Sequence, residues 1–142
     1  FRVARRALPI GAAVVQDDAL RACCSHDGYR RLTGNPRHER SWVLADGVLN
    51  VTDRVEGGSH MAEARFHFHP DVTLQPGGDA RQGTGTTARG GRFAWRLAKG
   101  RARIEASSWH PRFGESTPNH CLAVTLEQGW SELELRWDGD RV

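Results

Sequence analysis

A chain of 142 residues can bury one hydrophobic core without disulfides or a structural metal, so we expect a single domain over 1–142. Its 26% of charged and 38% of hydrophobic residues exclude a disordered chain, and no apolar run reaches the roughly 20 residues of a membrane helix. The net charge of +3 rests almost wholly on arginine, since Lys99 is the only lysine, and arginine forks match carboxylate and sulfate groups.

The amino-terminal part of the chain contains the one helical candidate and the first clear hairpin. The candidate helix over 17–24 is short and poorly capped. Further on, SWVLADGVLNVTDRVEGG alternates apolar and polar residues on both sides of Asp46-Gly47. This dipeptide favours the type I′ turn of a two-residue hairpin, so two antiparallel strands are predicted here.

Later segments complete the prediction of secondary structure. In HMAEARFHFHP, Ala64 and Phe66 fall on one face and alternate with polar residues, which predicts a half-buried strand. The glycine-rich segment 75–92 has almost no apolar residue and is predicted to be a mobile hairpin loop. Further strand patterns flank 99–100 and 128–129. We predict an all-β fold, an antiparallel β-sandwich or an incomplete part of a larger one.

The candidate binding residues are concentrated in SHDGYRRL and PRHERSWVL, which contain His26, Tyr29, Arg31, His38 and Arg40. Two interpretations remain open. In the first, these side chains line a cleft and contact an acidic sugar through charge-assisted hydrogen bonds. In the second, which we favour, the stretch is a hairpin corner where Tyr29 packs its ring and an acid pairs with an arginine.

Two histidines, His67 and His69, are weak candidates for metal binding. They alternate on a predicted strand, so both rings leave the same face. A zinc site needs three or four ligands. The further candidates, which nothing in the sequence places beside the pair, are His60, Asp71, Glu105 and His110. We therefore expect neither a metal nor another cofactor in this chain.

An ordered set of motifs carries a resemblance to a known family. HDGYRRL, HERSWVL, VTDRVEGG, AEARFHFHP and SSWHPRFGESTPNHCLAVTL follow one another as in the carboxy-terminal β-sandwich of heparinase II/III-like polysaccharide lyases. The resemblance covers 1 to about 127 and implies that the chain is the carboxy-terminal part of a larger bacterial lyase. In that parent, an amino-terminal α/α toroid packs against the sandwich, and uronic-acid-containing polysaccharide in the cleft is cleaved by β-elimination.

The same resemblance limits what the chain can do by itself. In the family, the toroid contributes a Tyr, while the sandwich contributes a His-x-His-x-Asp segment and a His-Asn-Thr segment with a catalytic His and metal ligands. Neither segment is in this sequence, and in the family's order both precede it. We therefore expect the chain alone to be inactive, and we assign a divalent metal such as zinc to the rest of the parent.

Two functions of different class follow from these observations. The first is a support domain of a polysaccharide lyase, and the second is a stand-alone β-sandwich that binds or presents carbohydrate without catalysis. In both, the expected partner is an acidic polysaccharide such as a glycosaminoglycan. No nucleic acid is expected, because no basic run is interleaved with aromatic residues, and no membrane. The resemblance implies a periplasmic or secreted location and leaves a cytoplasmic one open.

Overall fold

The computed structural model describes residues 6–58 and 61–137. These residues form eleven β-strands, and the all-β prediction is confirmed. Within this part of the chain, no helix has the length and hydrophobicity needed to cross a membrane. In chain order the strands are β1 (Pro9–Gln16), β2 (Leu20–His26), β3 (Arg37–Ala45), β4 (Val48–Glu56), β5 (Glu63–His67), β6 (Val72–Pro76), β7 (Gln82–Thr87), β8 (Arg92–Lys99), β9 (Arg101–Trp109), β10 (Thr117–Thr125) and β11 (Trp130–Trp137).

The described strands form two antiparallel sheets that pack as a sandwich. The large sheet has the order β1-β2-β3-β4-β11-β8-β7-β6, and the small sheet has the order β5-β10-β9. The chain passes from the large to the small sheet between β4 and β5 and again between β8 and β9, and it returns between β5 and β6 and between β10 and β11. Gly100 allows the crossing between β8 and β9, because its φ is +104° and a Cβ there would lie 2.9 Å from the carbonyl oxygen of Thr125.

The main core lies between the small sheet and one half of the large sheet. Leu122 and Val124 of β10 pack with Trp95 and Leu97 of β8 and with Leu133 of β11. All five side chains are buried, with at most 3% of their surface exposed. Burying side chains of this size removes apolar surface from water at roughly 25 cal/mol per Å² and is the main force that holds the sheets together. None of the buried residues of this cluster belongs to β1, β2 or β3.

The predicted hairpin at Asp46-Gly47 is confirmed. Both turn residues have left-handed φ angles, +48° at Asp46 and +72° at Gly47, as a type I′ turn requires. Because the loop has only two residues, it fixes which residues of β3 and β4 lie opposite each other. Arg40 is thereby placed opposite Asp53.

The helical candidate over 17–24 does not form a helix. The structure has a bend at the start of this segment, where the backbone N–H of Ala19 donates to Oδ1 of Asp17 at 3.1 Å, and β2 follows directly. The backbone of β2 is paired on both edges, with β1 on one side and β3 on the other. Sheet hydrogen bonds on two sides outweigh the weak helical preference of a short segment.

The predicted loop over 75–92 is also wrong, because β7 runs through this segment and pairs with β6 and β8. Gly83 and Gly85 point inward beneath the rings of Trp95 and Phe93, and a Cβ on Gly85 would come within 2.0 Å of the Phe93 ring. Thr84 and Thr86, which alternate with these glycines, are exposed on the outer face. Aromatic rings from β8 thus supply the apolar cover that the segment's own side chains lack.

One half of the large sheet lies outside this core. Five apolar residues, one from each of five neighbouring strands, form a row across the sheet in which each residue lies opposite the next. From β11 through β4, β3 and β2 to β1, this apolar row consists of Leu133, Val51, Trp42, Ala22 and Val14. The exposed fraction rises along the row from 1% at Leu133 to 72% at Val14. The apolar row therefore begins in the core and ends as an uncovered surface.

The aromatic cover of β7 makes a testable prediction. Gly85→Ala should lower the free energy of unfolding by about 1–3 kcal/mol, because the added methyl group overlaps the Phe93 ring. Gly78→Ala is the matched control, since a Cβ there meets nothing within 4 Å, and its unfolding should change by less than about 0.5 kcal/mol. Urea unfolding of both variants measures the difference, and equal stabilities would contradict the packing described for β7.

Candidate functional site

A groove of about 470 Å³ opens beside the end of β2, the start of β3 and the edge strand β5. Four of the five predicted binding residues line it: His26, Tyr29, His38 and Arg40. Asp53 of β4 lies at its inner wall. We call this feature the histidine groove. The stretch SHDGYRRL thus forms one side of a cavity as well as the corner between β2 and β3.

Strand register brings the residues of the histidine groove together. His26, the last residue of β2, lies opposite His38, the second residue of β3. Arg40 follows two positions later on the same face of β3 and lies opposite Asp53. Four polar side chains from three neighbouring strands therefore meet on the inner face of the large sheet, next to the apolar row.

The carboxylate of Asp53 is the centre of this cluster. It is only 1% exposed, and Arg40 binds it with both arms of its fork, Nε to Oδ1 at 2.7 Å and Nη2 to Oδ2 at 3.0 Å. His38 approaches Oδ1 with its Nε2 at 2.6 Å. The Arg40 guanidinium also lies over the ring of Phe66, 4.8 Å from its centroid. A buried charge with a bidentate partner and a third hydrogen bond is fully compensated.

The neighbouring groups assign the protons of both histidines. An ionised carboxylate only accepts, so His38 carries its proton on Nε2. At the other end, the backbone N–H of Gly28 donates to Nδ1 of His26 at 3.2 Å, which leaves that nitrogen unprotonated. Nε2 of His26 then donates to Nδ1 of His38 at 3.1 Å. The hydrogen bonds run in one direction, from Gly28 through both neutral imidazoles to Asp53.

The electrostatic surroundings agree with these proton positions. Burial lowers the pKa of His26, the neighbouring His38 lowers it further, and Asp27 raises it by less, so the pKa lies below its ordinary value of 6.5. Burial raises the pKa of Asp53, but the hydrogen bonds from His38 and Arg40 outweigh that effect, and the pKa lies below 3.8. Neutral His26 and ionised Asp53 are therefore the forms present at pH 7.

The remaining residues of SHDGYRRL each make different contacts. The Tyr29 ring lies 5.1 Å from the His26 ring, at the mouth of the histidine groove, and its side chain stays 44% exposed. Arg31 lies outside the groove and donates to the carbonyl oxygen of Gly28 at 3.4 Å. Asp27 accepts from the backbone N–H of Leu8 at 2.8 Å rather than from an arginine. Among the described residues, no arginine makes an ion pair with Asp27, so the pairing considered in the second interpretation is not seen there.

The sequence interpretation missed the central role of Asp53, which is not among the candidate residues named above. A signal for it was present. A two-residue turn at Asp46-Gly47 pairs residues at equal distances on either side, which places Arg40 opposite Asp53. The contact of Phe66 with Arg40 joins the two sheets, and no local pattern predicts it.

The two candidate metal ligands do not form a metal site with other described residues. His67 lies near Ser107, with Nδ1 3.3 Å from Oγ, and near the buried Cys121. The His69 ring packs edge-on against Trp109 at 4.9 Å. Within 6–58 and 61–137, no three His, Cys, Asp or Glu side chains are grouped so that they could hold a metal ion. The candidate His60 lies outside the described residues.

Comparisons with known proteins concern nearly the whole chain. A family model, Heparinase II/III-like, C-terminal, matches residues 1–138. The structure is similar to that of a heparan sulfate lyase HepC mutant from Pedobacter heparinus, with a TM-score of 0.71 and 10% identity over 94% of this chain and 22% of that one. A heparinase III structure matches with a TM-score of 0.64 and 12% identity over 89% and 21%. The chain spans about a fifth of these proteins. The search of curated proteins found no match.

The buried carboxylate generates a prediction about stability. Asp53→Ala should lower the free energy of unfolding by about 3–5 kcal/mol, because it leaves the Arg40 charge and the His38 donor without their partner. The control is Asp71→Ala, whose side chain is 67% exposed, and its effect should stay within about 0.5 kcal/mol. Chemical denaturation compares the two, and similar small losses would show that the cluster is not a stabilising centre.

The lowered pKa of His26 generates a prediction about pH. As the pH falls below about 6.5, the unfolded chain takes up a proton on this ring before the folded chain does. The stability is therefore complete above that pH and decreases as the pH falls through the folded pKa. Asp53 does not contribute in this window, because its ordinary pKa of 3.8 lies lower.

Melting temperatures between pH 7.5 and 5.5 measure this dependence. We expect the wild-type chain to lose stability on acidification and His26→Asn to lose less. His69→Asn, which changes an exposed histidine outside the histidine groove, should keep the wild-type slope. An unchanged slope in His26→Asn would assign the pH dependence to other groups.

Proposed function

The chain belongs to the heparinase II/III-like, C-terminal family, and from this we propose that it is the carboxy-terminal β-sandwich of a polysaccharide lyase. The parent enzyme cleaves an acidic, uronic-acid-containing polysaccharide such as a glycosaminoglycan by β-elimination. The match of the family model over 1–138 is the observation that carries this proposal. The solved structures, at 10% and 12% identity, support the fold.

Within this domain, we assign the histidine groove to the polysaccharide. The ring nitrogens of His26 and His38 and two nitrogens of Arg40 are already engaged in the hydrogen bonds that lead to Asp53. The Tyr29 hydroxyl, in contrast, makes no hydrogen bond with a described residue and lies on a half-exposed side chain at the mouth of the groove. Tyr29 is therefore the group of this wall that is free to bind a sugar hydroxyl or carboxylate.

The chemistry divides between this chain and the rest of the parent. In β-elimination a base removes the C5 proton of the uronate, the bond from C4 to the leaving oxygen breaks, and an acid protonates that oxygen. Donors must neutralise the carboxylate while negative charge develops. Because both histidines of the groove are held in a closed hydrogen-bond chain, we assign substrate binding to this domain and the base and acid to the rest of the parent.

A divalent metal such as zinc does not fit the described residues of this chain. Their His, Cys, Asp and Glu side chains form no group of three that could hold it, so we place it in the rest of the parent.

Polysaccharide substrates are encountered outside the cytoplasm, which supports a periplasmic or secreted location for the parent.

We further propose that the rest of the parent packs on the apolar row. At its outer end Val14 is 72% exposed, and the neighbouring Leu20 is 41% exposed. An uncovered apolar surface that continues from a buried core is typical of a face that another domain covers. By the family resemblance, that domain is the α/α toroid, and the polysaccharide lies between the two.

Turnover by the full-length protein tests the proposal. Incubation with uronate polymers should yield a product with a C4–C5 double bond, which is followed by its ultraviolet absorbance. Tyr29→Phe should lower kcat/KM by about fivefold to tenfold, mainly through KM, with an unchanged melting temperature, because one neutral hydrogen bond to the substrate is lost.

Arg31→Ala is the matched control, since it changes a residue of the same stretch that lies outside the histidine groove. Its kinetics should equal those of the wild type. If both variants behave alike, the polysaccharide does not contact Tyr29. If the wild-type protein forms no unsaturated product from any uronate polymer, the domain belongs to a non-catalytic carbohydrate-binding protein.

A further inference from the structure

The outer face of the large sheet carries a cluster of arginines that the histidine groove does not involve. Ala94 of β8 lies opposite Arg136 of β11, and Arg92 and Arg96 lie two positions before and after it on the same face of β8. All four residues are exposed. Three arginines thus flank one small residue on this face, and we call this surface the arginine face.

The arginine face is on the side of the sheet opposite to the histidine groove. Leu133 and Leu97 point into the core, so their alternate neighbours, including Arg136 and Arg96, point outward. Asp53 shares the inner face with Leu133, because Val51 lies opposite that leucine and Asp53 follows two positions later. The two surfaces therefore cannot contact the same sugar residue.

A shallow depression of about 490 Å³ on this face has the polar lining that a sugar chain requires. Arg92 and Arg136 border it, and Gln75, Thr84 and Thr86 provide amide and hydroxyl groups. These three side chains are exposed, and they come from β6 and β7, whose backbone pairing holds them in a row. Arginine forks bind carboxylate or sulfate in a bidentate manner, while hydroxyl and amide groups both donate to and accept from sugar hydroxyls.

The arginines of this face are less completely neutralised than the two on the outer face of the small sheet. On the outer face of the small sheet, Arg65 and Arg103 each bind two glutamates, with all four ion pairs between 2.5 and 2.6 Å. On the arginine face, one glutamate serves three arginines: Glu134 pairs with Arg136 at 3.3 Å and lies opposite Arg96 in the sheet. Arg92 and Arg96 make no ion pair with a described residue.

From this contrast we infer that the arginine face binds a segment of an anionic polysaccharide through its carboxylate or sulfate groups. It is a second contact surface, on the opposite side of the sheet from the histidine groove. The class of ligand rests on the proposed function, whereas the existence of an anion-binding surface rests on the arginine arrangement alone.

Heparin, a polymer with both carboxylate and sulfate groups, is the probe for this inference. Calorimetric titration of the full-length protein should show that the double variant R92A/R96A binds heparin at least about tenfold more weakly than the wild type, since charge-assisted contacts are lost. Ala94→Glu, which places a carboxylate between the three arginines, should weaken binding to a similar extent. Unchanged melting temperatures verify that these exposed substitutions leave the fold intact.

The control is R54A/R112A, which removes the same charge from two exposed arginines that do not belong to the arginine face. Its affinity for heparin should fall by less than about threefold. Equal losses in the two double variants, or no heparin binding by the wild type, would overturn the inference. Wild-type turnover of a short uronate-containing oligosaccharide tests the proposed function separately, because it requires no contact with the arginine face.

Discussion

A carboxylate buried between two strands needs donors on all sides, and the structure around Asp53 is built on that requirement. Arg40 and His38 supply the donors from β3, and His26 extends the chain of hydrogen bonds to β2. Three strands are thereby held in one register at the end of the sheet where apolar packing is weakest. Removing any donor would leave a charge or a polar group in a place that water reaches poorly.

The centre of this cluster could be predicted from the sequence, although the interpretation stopped short of it. The turn at Asp46-Gly47 has only two residues, and a loop of that length allows only one register between the two strands that it connects. Arg40 and Asp53 are equally far from this turn along the chain, so they lie opposite each other. The alternation of apolar and polar residues in β5 and the all-β class could also be predicted, because both depend on residues that are close in sequence.

Other parts of the fold depend on contacts between residues far apart in sequence. The connection over 27–36 is too long to fix a register, so nothing local predicts that His26 lies opposite His38. The strand in 75–92 forms because rings of Trp95 and Phe93, in the next strand, cover its glycines. A pattern read within one segment contains no information about cover that a different segment supplies.

The apolar row also ends on an edge strand, which has a consequence for the chain in isolation. Among the strands that the structure describes, β1 pairs only with β2, and Val14 and Val15 are 72% and 54% exposed. The register shift between Ile10 and Ala13 distorts the first half of β1, but its second half is regular. A regular, apolar free edge accepts strands from other copies, so the separated domain should self-associate at high concentration, starting from the second half of β1.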